Sequence, residues 1–120
     1  MDDRIRFIEH HGKKILLCDF SHANAHEMQL LLEYVRITVA KCPHESIITL
    51  GDYTGSTVDH TVATRIKEVM TLDRPFVKKT AWVGTASIPH AFMENIQNFS
   101  QREIVAFQTR EEAMDWLVKE

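Results

Sequence analysis

Between Ser46 and Ala63 the chain reads SIITLGDYTGSTVDHTVA, and the side chains able to do chemistry crowd into its second half: Asp52, Thr54, Thr57, Asp59, His60 and Thr61. Hydroxyls flanked by carboxylates and an imidazole suggest two chemistries. One is phosphoryl acceptance, because a helix start carries roughly half a positive charge in free amides and favours a phosphate beside it. Thr57 and Thr61 fall where such a group would sit. The other is acid–base work by Asp52 with His60 near one strand end. Against both stands the ordinary task of Asp and Thr at helix starts, which is capping, and two solvated loop residues account for Asp52 and His60.

Catalytic and cofactor signals are otherwise weak. The chain has no G-x-S-x-G elbow, and Cys18 sits inside an apolar run, where a buried, inert thiol is expected. Gly51, Gly55 and Gly84 form neither a G-x-G-x-x-G nor a P-loop pattern, so no nucleotide cofactor is expected. Seven histidines invite a metal. The His10–His11 doublet, however, has no carboxylate or thiol at ligand spacing, and His22 and His26 do not share a helical face if Asn24 is a cap. Neither a metal site nor a catalytic residue is expected.

The elements that must position the candidate residues follow from periodicity. Arg4 to Glu9 alternates Ile5 and Phe7 with Arg4 and Arg6, and Lys14 to Phe20 is unbroken at Ile15, Leu16, Leu17 and Cys18. With His10, His11 and Gly12 as the turn, these make a hairpin with an inner second strand. Asn24 and Glu27 have capping-box spacing, and Met28, Leu31, Leu32, Val35 and Val39 form the buried stripe of a first helix. Leu30, Tyr34 and Ile37 broaden that stripe. Core contact explains them, with a homodimer left open.

Ile47 to Leu50 suits a strand covered on both faces, and Gly51 and Gly55 bracket the turn that leaves it. Asp59 then caps a second helix carrying Val62, Ile66, Val69 and Met70, with Val58 stapled on Ala63. Phe76 to Thr85 supplies a fourth strand. A third helix begins at Ser87 or Ile88 with Pro89 in its first turn and Phe92, Ile96 and Phe99 inward. Ile104 to Phe107 is the last strand. Thr109 and Glu112 start a terminal helix with Ala113, Trp116 and Leu117 as its apolar face. The order ββαβαβαβα implies one α/β domain over residues 1–120, a five-stranded mixed but mostly parallel sheet with an N-terminal hairpin and four helices. Sites in such sheets collect beyond the carboxyl ends of the strands, where Asp19, Asp52, Thr54 and Thr85 belong.

Composition narrows the class further. With 120 residues, 44% hydrophobic and 26% charged, the chain is long enough for one core without staples. A formal net charge of −3 argues against nucleic acid or an anionic membrane surface as partner. Only Cys18 and Cys42 are present, in unlike contexts, so no disulfide framework is expected. No run is long and apolar enough for a membrane span, and the first residues lack the apolar core of a signal peptide, so a reducing, cytoplasmic setting is expected.

This order of elements, with the residues of the Ser46–Ala63 stretch, resembles the STAS domain family, closest to stand-alone bacterial SpoIIAA-like proteins of the anti-sigma-factor-antagonist type. Antagonist members carry a D-L-S-G strand end followed by D-S-S-G at the start of the second helix. Asp52-Tyr53-Thr54-Gly55 resembles the first, and Asp59-His60-Thr61-Val62 falls close to the second, one residue nearer and with His60 and Val62 in place of a serine and the glycine. The stretch from Phe107 to Leu117 is similar to the ending of many members. The resemblance implies a non-enzymatic signalling module that docks a protein partner, such as an anti-sigma-factor-like kinase, through the turn after the third strand and the second helix's N-terminus. Phosphorylation of a serine changes which partner is bound in that family. Thr61 stands at the matching place here, while a rival register sets Asp52-Tyr53-Thr54-Gly55 against D-S-S-G and makes Thr54 the acceptor. Some STAS-like chains also resemble lipid-binding CRAL-TRIO domains, so the alternative is a small-molecule carrier, with Met28, Leu31, Tyr34, Trp82 and Phe92 lining a cavity of a few hundred Å³.

Overall fold

Apolar side chains on successive positions of a strand need cover from both sides. The computed structural model, which describes residues 3–119, provides that cover in three layers. Five strands lie in the order β1-β2-β3-β4-β5. β1 (Ile5–His10) runs antiparallel to β2 (Lys13–Asp19), and β2, β3 (Ile47–Asp52), β4 (Val77–Val83) and β5 (Ile104–Phe107) are parallel. Helices α1 (Ala25–Ala40), α2 (His60–Asp73), α3 (His90–Ser100) and α4 (Arg110–Val118) complete the expected ββαβαβαβα order.

Side-chain alternation divides the core between the two faces. Leu16, Cys18 and Trp82 point to one side and meet Leu31, Val62, Ile66 and Ile96 of α1, α2 and α3. Ile15, Leu17, Leu50, Ala81 and Val83 point to the other and meet Ala113 and Leu117 of α4. Three helices therefore cover one face and a single helix the other. Because strand order follows chain order, the sheet never reverses its winding, and no crevice of the kind formed at such a reversal arises.

Local signals placed the helix starts. Asn24 and Glu27 bond reciprocally as a capping box, the Asp59 carboxylate accepts from the amide of Val62, and Thr109 Oγ1 accepts from that of Glu112. Other boundaries differ from expectation. His10 belongs to β1 and pairs with Lys13, so the hairpin loop is His11-Gly12 alone. Thr85–Ser87 form a single 3₁₀ turn, and Pro89 caps α3, which starts at His90. Gly51 lies within β3 rather than in the turn. A Cβ there would stand 3.0 Å from both the Trp82 and Tyr53 rings, so a side chain would require those packed rings to give by a few tenths of an ångström.

Four apolar side chains expected inside lie outward. Leu30 and Ile37 are on the outer side of α1, and only Tyr34 of that trio packs on the core. Phe7 on the edge strand is exposed. Phe99 is 58% exposed because α3 turns Met93, Ile96 and Ser100 inward, and its ring instead lies under Lys67 Nζ at 4.7 Å, a cation–π contact.

Candidate functional site

At the carboxyl end of β3 the backbone is stitched on both sides. Phe20 N donates to Asp52 O at 2.9 Å, Tyr53 N to Val83 O at 2.9 Å, His22 N to Thr54 O at 2.7 Å and Thr57 N to Ala23 O at 2.8 Å. The loop after β3 is thereby fixed between the loops that follow β2 and β4. Tyr53 does not join a polar surface but packs, with its ring tilted, between Phe20 and Trp82, with ring centroids 4.9 and 4.5 Å away. Gly84, at φ 69°, admits the Thr54 backbone so closely that a Cβ would lie 2.3 Å from its amide nitrogen.

Two of the sequence candidates act inside this frame. Asp52 is 6% exposed; one carboxylate oxygen accepts from the amide of Thr54 at 2.9 Å and the other from Arg110 Nε at 2.7 Å. The Arg110 guanidinium, on the first residue of α4, also lies 3.2 Å from Asp19. Burial alone would raise Asp19, but two hydrogen bonds from Ser21 and the charges of Arg110 and Arg4 together hold it below the usual carboxylate range. Asp52 is thus a strut under the turn. Asp59 is the N-cap of α2.

The other candidates face solvent: Thr54, Thr57, His60 and Thr61 are all exposed. His60 lies 6.0 Å from the Phe92 ring and forms no hydrogen bond with Asp52, which is held by Arg110. Thr61 is the second residue of α2, inside the first turn, whose amides have no helical partner. Ser56, by contrast, is buried and donates to Tyr53 O at 2.8 Å. Among the hydroxyls between β3 and the first turn of α2, threonines 54, 57 and 61 are therefore the accessible ones.

Beneath the turn, between the sheet and α1 and α2, lies a cavity lined by Cys18, Tyr53, Asp73, Thr80 and Arg102 among apolar neighbours. Its volume of about 30 Å³ has room for roughly one water and not for a lipid. Arg102 donates to Met70 O at 3.2 Å and to Thr80 Oγ1. Burial pushes Asp73 up to about 7, against the opposing pull of Arg102, Arg36 and Arg65. Burial also pushes the Cys18 thiol up to about 12, aided by Asp73 and opposed by Arg102, so it is the inert core thiol expected of an apolar run.

Sequence spacing missed both Arg110 and the meeting of Asp73 and Arg102 on the lining of one cavity, because each is assembled across distant segments. One signal for Asp73 was available: a carboxylate on the last residue of a helix opposes the negative end of the helix dipole. At the amino edge of the parallel sheet a further group gathers, His10, His11 and Asp115, whose donor atoms lie within 4.8 Å of one another. Comparison of the chain with protein-family models, characterised proteins and solved structures finds no match.

Proposed function

We propose that this chain is a non-enzymatic protein-docking module of the STAS, anti-sigma-factor-antagonist kind, acting in a bacterial cytoplasm. It receives its partner on the turn after β3 and the first turn of α2, and phosphorylation of Thr61 switches that contact. The observation that carries the proposal is the position of Thr61: an exposed hydroxyl on the second residue of a helix whose cap, Asp59, is the aspartate of the matching motif. A phosphate there adds close to two negative charges next to free amides, which favour it, and changes the surface a partner meets. The same cap supports the register in which Thr61, not Thr54, is the acceptor.

Two further features support docking over carriage of a ligand. The interior cavity of about 30 Å³ falls roughly tenfold short of what a carrier needs. The sheet winds in one direction and so lacks the strand-order reversal at which sheets of this kind form their ligand crevices.

A photo-crosslinking side chain placed at Thr57 in cells that make the protein tests the docking face. A discrete protein adduct from Thr57, absent when the probe is moved to Glu45 at the opposite edge, is the expected result. Equal labelling from both positions, or none, would overturn it. Peptide mapping of the purified chain by mass spectrometry tests the switch: a phosphoryl group on Thr61 supports it, and one on Thr54 selects the rival register.

A further inference from the structure

The hairpin turn and the C-terminal helix bring the His10–His11 doublet together with a carboxylate from a distant segment. His10 ends β1, His11 is the first residue of the two-residue loop, and Asp115 lies on α4, 105 positions from His10. His10 Nε2 is 2.7 Å from Asp115 Oδ1, and His11 Nε2 is 3.6 Å from the same oxygen. The two imidazole centroids are 4.2 Å apart.

Neighbouring residues of an extended strand point to opposite faces, so two consecutive histidines would ordinarily diverge. Here His11 has φ 50° and Gly12 φ 79°, positive at both central positions as a type I′ hairpin loop requires. The left-handed turn folds the His11 ring back beside His10. Histidine, like asparagine, is among the non-glycine residues that tolerate this left-handed position, so the turn accepts it without added strain.

We propose that His10, His11 and Asp115 form a binding site for a divalent transition metal, zinc in the first instance. Two imidazole nitrogens and one carboxylate oxygen suit zinc, nickel or copper and disfavour calcium and magnesium, which take oxygen ligands. A tetrahedral zinc with bonds of about 2.0 Å separates its ligand atoms by roughly 3.3 Å. The 3.6 Å His11–Asp115 separation already approaches that edge, and the 2.7 Å His10–Asp115 contact has only to open by about half an ångström. Asp115 and His11 are 51% and 69% exposed, so the ion enters from solvent and keeps water on its remaining position. Bound there, it clamps α4 to the β1–β2 hairpin. This site lies at the amino edge of the sheet, the length of β2 or about 20 Å from the Asp19 end, and does not depend on the docking role.

The test uses the full chain without an affinity tag, titrated with zinc by calorimetry and with cobalt(II) by visible absorption, which reports tetrahedral coordination. Wild type is expected to bind one equivalent with a micromolar dissociation constant. Saturating zinc should raise the Tm by on the order of 5 °C or more, reversed by EDTA. His11→Asn fits the left-handed turn as well as histidine does and keeps the fold, yet should weaken binding at least tenfold, as should Asp115→Asn. His22→Ala, at the opposite edge, should bind as wild type does. Wild-type binding no tighter than millimolar, or binding unchanged in both His11→Asn and Asp115→Asn, would overturn the site.

Discussion

Arg110 closes the carboxyl edge of the sheet by reaching Asp52: its Nε lies 2.7 Å from a carboxylate that is almost wholly buried. The same guanidinium holds Asp19 at 3.2 Å, so one cation from α4 neutralises the ends of two adjacent strands. Removing it leaves a buried carboxylate without its counter-charge, the costly way to break such a pair. Because Arg110 is itself more than a third exposed, the effect is discounted for solvent screening. Arg110→Ala should lower the free energy of urea unfolding by about 1–2 kcal/mol. Asp52→Asn should cost less, since the amide still accepts from Thr54 and Arg110 keeps Asp19.

Stability should fall as pH rises from about 4 to 7, and the group responsible is Asp73. Its folded value of about 7 lies above the ordinary 3.8, so through that interval the folded chain holds a proton that the unfolded chain has released. Stability from this group is complete below the unfolded value and lost as pH passes the folded one. The span corresponds to roughly 4 kcal/mol at most. Asp19, depressed in the folded state, acts in the opposite sense and withdraws stability only as the pH drops into the acid range. Wild type should therefore be most stable near pH 4, where the loss from Asp73 has barely begun and that from Asp19 has not set in. Asp73→Asn should flatten the descent between about pH 4 and 7 and exceed wild type at pH 8. An unchanged slope in chemical denaturation series would show that Asp73 is not its source.

Three glycines share positive φ but differ in what surrounds them. Gly12 has open space where a Cβ would go, Gly55 meets the His22 ring, and Gly84 meets the backbone of Thr54. A ring swings aside and a backbone does not. Gly12→Ala should cost about 1 kcal/mol from conformation alone. Gly55→Ala should cost somewhat more. Gly84→Ala should cost the most, upwards of about 2 kcal/mol, and should shift the amide resonances of residues 53–57. A ranking with Gly84 mildest would contradict the close approach seen there.

Charge at Thr61 tests the helix end directly. Thr61→Glu should stabilise the fold by about 0.3–1 kcal/mol through the helix dipole, and Thr61→Lys should destabilise it by a similar amount. Under the proposed switch, Thr61→Glu should also abolish the crosslink from Thr57 while leaving the fold intact. A crosslink of undiminished yield would separate docking from phosphorylation.

Much of the fold was legible because its signals are local. Asn24, Asp59 and Thr109 each cap from a spacing of three residues, and the continuous apolar runs of β2 and β3 announce strands buried on both sides. Phe99, Leu30 and Ile37 show where such signals stop. A helical period identifies apolar positions, but how far the stripe is rotated towards the sheet depends on neighbouring helices that no local window contains. The site divides in the same way. Asp59 and Thr61 could be placed from the helix start, whereas Arg110 meets Asp52 across 58 positions and Asp115 meets His10 across 105.

The single helix on the second face has a consequence for the order in which the chain is made. Ile15, Leu17, Ile48, Leu50, Ala81 and Val83 all await Ala113 and Leu117 for their cover. The sheet and its three-helix face can therefore be complete on the ribosome while a continuous apolar surface is still bare. At roughly 5–20 residues per second, that surface stays open for several seconds after β2 and β3 have emerged. Arg110 leads the segment that covers it, so Asp19 and Asp52 lose their mutual repulsion only at that moment. Nascent chains stalled before residue 110 should thus recruit chaperones, and chains released after residue 118 should not.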